Sequence, residues 1–346
     1  MTDRSYTIVG AGAIGGTVAH AMAREGIKVT LVDADAVHIE AIRADGLRIR
    51  AVDGTDDAVR MPAYTTTDYP ADADPIDIAV IATKSQHTRD AAEWIAPRLA
   101  GDGRVVSLQN GVNEPVIAEV VGADRVISAF VNIFSDYLEP GVVSFGGSGA
   151  LAVGMPDGSA PDRHALDVAA DFRAYGPVTA SSNVTGYRFA KRGFGGILGL
   201  TSVVDLPMAE VVDTNRDLAA AVARESTEVA VRAGIVLESF DAYEPYAFRA
   251  EASEAVREAA LDRLVHYLAG QPKDRSGGFR DIAVRQRPLE HGLVDDGYAG
   301  LATAHGVDTR MSRGVGAMLG EISAGKRSFS AKNLQELREL LARPDL

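Results

Sequence analysis

Gly10, Gly12 and Gly15 stand at GxGxxG spacing, directly after the apolar run Tyr6-Thr7-Ile8-Val9 and before an apolar-periodic stretch over residues 14–23. A strand that passes through a glycine turn into a helix is the setting in which this spacing binds a dinucleotide pyrophosphate. Gly10 permits the tight turn, Gly12 lets backbone N–H groups close on the phosphates, and Gly15 lets the helix pack near the strand. Gly10, Ala11, Gly12, Ala13, Ile14 and Gly15 are therefore the candidate cofactor cradle. The anion would sit at the helix N-terminus, where unpaired N–H groups and the helix dipole favour it. The next apolar run, Lys28-Val29-Thr30-Leu31-Val32, ends in Asp33, 23 positions after Gly10. A carboxylate there accepts hydrogen bonds from the adenosine ribose diol and repels a 2′-phosphate. NAD(H) is favoured on this ground, and NADP(H) is left open. The competing reading makes Asp33, with Asp35, a cap for the helix that starts near Ala36. Strand, glycines and spacing together favour the ribose.

These residues need a scaffold, and the pattern along the chain supplies one. A chain of 346 residues is longer than the roughly 250–300 residues at which single cores stop growing, so two domains are expected. After the second strand come a short helix candidate at 36–44 and an alternating strand candidate at 46–52. Residues 75–82 form an apolar run of the kind buried on both faces of a parallel sheet. A helix over 88–99 follows, then strands at 105–108, 126–131, 142–145 and 151–153. From about Gly186 the strand signals stop, and helical patterns cover 187–204, 216–233, 252–268, 290–305 and 310–320, with a loop at 271–278. The expected fold class is α/β: an N-terminal Rossmann doubly wound sheet over residues 1–181 and an all-helical C-terminal domain over 182–346 that carries substrate and catalytic groups.

Composition narrows the chemistry. Net charge is −13 with no basic run, which argues against nucleic acid and anionic membrane as partners and leaves a small-molecule substrate. The absence of cysteine removes disulfides, thiolate metal sites and cysteine nucleophiles together. The seven histidines show no paired-ligand spacing, so no metal site is expected. No apolar stretch approaches membrane-spanning length, and the first strand begins too early to leave room for a signal peptide. A cytoplasmic enzyme is the expectation.

Ligands of an open α/β sheet bind beyond the carboxyl ends of its strands, where Thr83-Lys84-Ser85-Gln86 and Gln109-Asn110-Gly111-Val112-Asn113 fall. Taken with the glycine turn, Ala82-Thr83-Lys84, Leu108-Gln109-Asn110-Gly111-Val112, Tyr187-Arg188-Phe189-Ala190-Lys191 and Ser276-Gly277-Gly278-Phe279-Arg280-Asp281 (continuing to Glu290) resemble the ketopantoate reductase (2-dehydropantoate 2-reductase) family over nearly the whole chain. The resemblance implies that Lys191 protonates the substrate carbonyl oxygen as hydride arrives, and that Glu290 orients substrate and interacts with that lysine. It implies that Asn110 lies near the nicotinamide ribose and the substrate, that Lys84 serves the cofactor or substrate side, and that Ser276 meets the substrate carboxylate.

Two departures stand against this pattern. Family members usually carry asparagines four and eight residues after the lysine; here these positions are Gly195 and Gly199. Each glycine costs roughly 1 kcal/mol against alanine inside a helix. Either the helix packs closely on a neighbour, a partner subunit in a homodimer included, or the pocket is enlarged for a bulkier substrate. Asp33 is the second departure, since many members use NADPH. The function expected is hydride transfer between nicotinamide and a 2-oxo or 2-hydroxy acid or related ketone, with an NAD-dependent alcohol or polyol dehydrogenase as the alternative. A non-catalytic NAD sensor would keep the glycine turn and Asp33 but have no use for Lys191 and Glu290.

Overall fold

Short aliphatic and β-branched runs separated by glycine and aspartate turns become strands through the first half of the chain. The computed structural model describes residues 4–51, 53–271, 273–284, 286 and 296–343. Contacts divide the chain into two units, Met1–Val184 and Thr185–Leu346. The first contains β1 (Ser5–Val9), α1 (Ala13–Arg24), β2 (Lys28–Asp33), α2 (Ala36–Asp45), β3 (Leu47–Arg50), β4 (Asp56–Val59), β5 (Ala63–Thr65) and β6 (Ile76–Ile81). It continues with α3 (Thr88–Ile95), β7 (Leu99–Ser107), α4 (Glu114–Val121), β8 (Val126–Glu139), β9 (Val142–Gly154), α5 (Arg163–Phe172) and β10 (Val178–Ala180).

The strands form one sheet in the order β4-β3-β9-β8-β7-β6-β1-β2-β5, with β10 also paired to β9. From β8 to β5 every pairing is parallel, and α1, α3 and α4 make crossovers between parallel neighbours. This is the Rossmann-type half. β9 returns antiparallel along β8 and offers its far edge to β3 at Val142–Ser144 and to β10 at Leu151–Val153. Helix α2 packs on β2 and β5 at one end of the order and on β3 near the other, while α1 touches both β2 and β4. The sheet therefore curls around α1, whose Val18, Ala19 and Met22 are fully buried.

The strand candidate at 46–52 forms as β3, but beside β9 rather than beside β2. Gly46, at φ 84°, turns the chain off α2, and alternation puts Leu47 and Ile49 in the core. The segments expected at 142–145 and 151–153 are one strand, because the β8 ladder carries the backbone across Gly146, Gly147 and Gly149 with shifts of register. The short strands β4, β5 and β10 carry no alternating buried face that would mark them along the chain.

The second unit continues from α6 (Val184–Thr201) through α7 (Met208–Thr214), α8 (Arg216–Arg232), α9 (Glu254–Ala269), α10 (Gly277–Ala283), α11 (Asp296–Ala304), α12 (Arg310–Ser323) and α13 (Ala331–Leu341). Among its described residues there is no strand. Of the helix expected over 290–305, α11 is the described part; residues 287–295 lie outside the described residues. The stretch read as a loop at 271–278 ends by starting α10. Among the described residues no helix is long and apolar enough to cross a membrane.

A buried carboxylate joins two of these helices. Glu225 of α8, 8% exposed, accepts the backbone N–H groups of Met311 (2.7 Å) and Ser312 (2.8 Å) and the Ser312 hydroxyl (2.7 Å) at the start of α12. Burial raises its carboxyl above the usual range, against those hydrogen bonds. Replacing Glu225 by alanine strands these donors and should lower stability by about 2–4 kcal/mol in urea denaturation. The folded unit also holds the carboxyl proton over a pH window in which the unfolded chain has released it. Glu225's contribution to stability therefore declines as pH rises from the ordinary carboxylate value to the raised folded one. The stability difference between the natural chain and Glu225→Gln should shrink across that rise; a difference that grows would contradict the assignment.

Candidate functional site

The glycine turn is built by close approach. Gly10 has φ 104° and donates its N–H to Val32 O (2.8 Å). A Cβ on Gly10 would lie 2.6 Å from Thr83 N, and one on Gly15 would lie 2.0 Å from Gly10 O and 2.9 Å from Ala82 Cβ. Only hydrogen fits there, so the end of β1, the start of α1 and the end of β6 meet backbone to backbone. Gly12 is different: a Cβ would meet nothing within 4 Å among the described residues. It caps α1 without a side-chain partner, the first turn holds no acidic residue, and the first helical bond runs from Gly16 N–H to Gly12 O (2.7 Å). The N–H groups before it are the ones a helix start offers outward.

The backbone of Ala11 is held on both sides, one grip on each of its two flanking peptides. Asp33 Oδ2 accepts the Ala11 N–H (2.7 Å), and His38 Nε2 donates to the Ala11 carbonyl (2.9 Å). The other Asp33 oxygen accepts the Asp35 N–H at 3.0 Å. Asp35, not Asp33, caps α2, accepting from Val37 N and His38 N. Each Asp33 oxygen keeps a second lone pair for hydroxyl donors, so gripping the turn and accepting a diol are compatible.

The two loops at the next strand ends are tied together by a residue whose side chain the sequence did not single out. Gln109 is buried, and its Nε2 donates to Thr83 O and to Thr88 Oγ1, both at 2.9 Å. Thr88 in turn donates to Ser85 O (2.8 Å). The Asn110 carbonyl accepts from Asn113 Nδ2 (2.9 Å) and Ser85 Oγ (3.2 Å). Lys84 and the Asn110 side chain are left on the exposed rim of this network. Only the position of Gln109, two residues past the buried end of β7, hinted at its role.

In the second unit Lys191 sits half-buried on α6, after buried Ala190. The glycines of this helix do different things. A Cβ on Gly193 would lie 2.2 Å from Tyr243 Oη, and one on Gly196 would lie 2.6 Å from Val222 Cγ1. A Cβ on Gly195 would meet nothing within 4 Å among the described residues. Gly195 and Gly199 follow Lys191 at i+4 and i+8, so the three share a helix face, and at Gly195 that face is open.

Ser276 is 2% exposed. Its Oγ accepts the Phe279 N–H (3.0 Å) as the cap of α10 and lies 2.5 Å from Ser202 Oγ, which itself donates to Leu198 O (2.8 Å). With the Ser202 proton on Leu198, the Ser276 proton goes to Ser202, and Ser276 anchors the start of α10. Glu290 lies outside the described residues. Among those residues no group of three or more His, Cys, Asp or Glu is placed to hold a metal ion.

The family model described as ketopantoate reductase PanE/ApbA matches residues 6–158, a stretch that includes the glycine turn, Asp33, Lys84 and Asn110. A 2-dehydropantoate 2-reductase of Pyrococcus horikoshii is 31% identical over 234 residues, 66% of this chain and 74% of that protein. The chain belongs to the ketopantoate reductase family. Another 2-dehydropantoate 2-reductase, from Halobacterium salinarum, is 35% identical over 178 residues, half of this chain and 57% of that protein's length. The fold is shared with D-mandelate dehydrogenase, solved with NADH and anilino(oxo)acetate, at TM-score 0.77 and 20% identity over 93% of this chain and 99% of that one.

Within a ketopantoate reductase fold, the glycines of both units divide by what faces them, and stability should follow that division. Gly15→Ala and Gly193→Ala should each destabilise by about 1–3 kcal/mol through overpacking. Gly195→Ala should be neutral or stabilise by up to about 1 kcal/mol, because alanine is the better helix former. Thermal denaturation of the three variants checks the ranking, and a strongly destabilised Gly195→Ala would show that this face is packed after all.

Proposed function

We propose that this chain is an oxidoreductase that transfers hydride between a nicotinamide cofactor, NAD(H) by preference, and a 2-oxo or 2-hydroxy acid, with Lys191 as the acid–base group. The observation that carries the reading is the cradle: an uncapped start of α1, open at Gly12, with Asp33 gripping the Ala11 N–H beside it. Its open side, unpaired N–H groups and adjacent carboxylate fit a pyrophosphate and a ribose diol. The nicotinamide, when bound, supplies or accepts the hydride.

The chain's own residues account for the rest. Gly10, Ala11, Gly12, Ala13, Ile14 and Gly15 form the cradle, in which the backbone N–H groups from Gly12 onward hold the pyrophosphate, and Asp33 takes the ribose hydroxyls. Asn110 and Lys84, on loops fixed by Gln109, serve the nicotinamide end and the substrate. Reduction of a carbonyl builds negative charge on its oxygen. An ammonium at Lys191 stabilises that charge and delivers the proton, and in the oxidative direction the amine takes the hydroxyl proton. The role of Glu290 rests on the family resemblance alone. The family membership and the NADH named for D-mandelate dehydrogenase support this reading.

A second reading concerns the substrate. The open face at Gly195, four residues past Lys191, favours a carbonyl compound bulkier than ketopantoate. The amides that asparagines would place at Gly195 and Gly199 are each worth roughly 0.5–1.5 kcal/mol to a polar substrate, and their absence should make ketopantoate a poor one. Gly195→Asn with Gly199→Asn should raise activity on ketopantoate and lower it on the better natural substrate. Family-like ketopantoate reduction by the unaltered chain would count against the enlarged pocket.

A panel of 2-oxo acids, 2-hydroxy acids and polyols with NAD(H) and NADP(H), followed at 340 nm, tests the activity itself. Binding of NADH without turnover of any of them would favour a sensor. Lys191→Ala should leave NADH affinity nearly unchanged and lower kcat by about 10²–10⁴; normal turnover would remove the lysine from the chemistry. The ratio of kcat/KM for NAD(H) over NADP(H) should be about one to two decades, and Asp33→Ala should narrow it mainly by weakening NAD(H). Equal use of both cofactors by the natural chain would argue against this part for Asp33.

A further inference from the structure

The His38 side chain lies outside every motif considered above, yet it is 1% exposed and both ring nitrogens are engaged by backbone. Nε2 faces the Ala11 carbonyl of the glycine turn at 2.9 Å. Nδ1 accepts the Gly141 N–H, also at 2.9 Å, from the turn between β8 and β9. A backbone N–H can only donate, so Nδ1 carries no proton and Nε2 carries the one that goes to Ala11. The ring packs edge-on to Tyr137 of β8, with centroids 4.9 Å apart. Gly141 is fixed in turn: its carbonyl accepts the Arg48 N–H of β3 (2.9 Å), and a Cβ on it would lie 3.1 Å from Ala41 Cβ.

We propose that His38 is a positioning residue for the dinucleotide: its neutral imidazole, protonated on Nε2, locks the Ala11–Gly12 peptide of the glycine turn to the β8–β9 hairpin. The inference rests on reading that turn as the pyrophosphate cradle. Asp33 fixes the Gly10–Ala11 peptide through the Ala11 N–H, and His38 fixes the Ala11–Gly12 peptide through the Ala11 carbonyl. The Ala11 carbonyl shares a planar peptide with the Gly12 N–H, so holding the two successive peptides sets the direction in which that N–H is offered. Neither Thr nor Ser could span from α2 to both partners; a histidine can, because its two nitrogens act in opposite senses on opposite sides of one ring.

The tests separate this part from the cofactor reading. Amide hydrogen exchange in the ligand-free protein reports on the turn without any dinucleotide, and NADH fluorescence titration reports on affinity. In His38→Ala, exchange over residues 10–16 should rise about tenfold, with NADH Kd rising by a similar factor, as expected for one lost buried hydrogen bond. Exchange in β6, β7 and residues 185–346 should stay unchanged. His38→Gln, whose Nε2 reaches the same carbonyl, should restore both quantities to within about threefold, and kcat at saturating NADH should be little altered in either variant. Ring 15N shifts of His38 should show a protonated Nε2 and a bare Nδ1. Unchanged exchange at the turn, loosening spread evenly over the first unit, no rescue by glutamine, or a proton on Nδ1 would each overturn the proposal. Failure of the natural chain to bind either dinucleotide would instead overturn the cofactor reading, while exchange and tautomer still decide whether His38 locks the turn.

Discussion

The backbone orientation of one residue, Ala11, is the constraint on which the first unit depends. Its N–H belongs to Asp33 at the end of β2, and its carbonyl to His38 in the first turn of α2. Both grips require β2 to lie beside β1 and α2 to fold back over the turn. The parallel register of Tyr6 with Val29 and of Val9 with Val32 provides the first; the Asp35 cap starts α2 where it can provide the second. A glycine-rich turn left to itself samples many conformations, since glycine loses more backbone entropy on ordering than any other residue. Here side chains on two successive elements remove that freedom before any ligand arrives.

Close approach and open space are distributed with equal selectivity. At Gly10 and Gly15 backbone meets backbone, so a side chain is excluded by the strand ends themselves. At Gly193 and Gly196 the excluded volume is already filled by Tyr243 and Val222, which lets the α6 segment sit deep among its neighbours. Gly12 and Gly195 lie in neither class. Their free sides are the places where the fold leaves room next to groups able to do chemistry.

The polar interior follows the same logic. Gln109 and Thr88 are buried, and together they bind two loops that each carry an exposed polar residue, Lys84 and Asn110. In the second unit Glu225 meets three donors at the start of α12, and Ser202 with Ser276 pins the start of α10. Buried polar groups of this kind are costly when unpaired and rigid when satisfied. Loops and helix starts held this way can present functional groups with little reorganisation.

Much of this was legible in the residues taken in order. The strand–turn–helix around Gly10 to Gly15 and the terminal Asp33 were readable because their signals are local: spacing, alternation and turn chemistry within some 25 positions. The loss of strand signals near Gly186 marked the helical half for the same reason. The tertiary structure alone decided that β3 pairs with β9, that β9 is continuous, that Ser276 is an anchor, and that glycines two residues apart on α6 face a packed wall and open space. It alone brought His38 to Ala11 and Gly141, and Gln109 to Thr83. These outcomes depend on partners far away in sequence, and no periodicity along one segment records what will be packed against it.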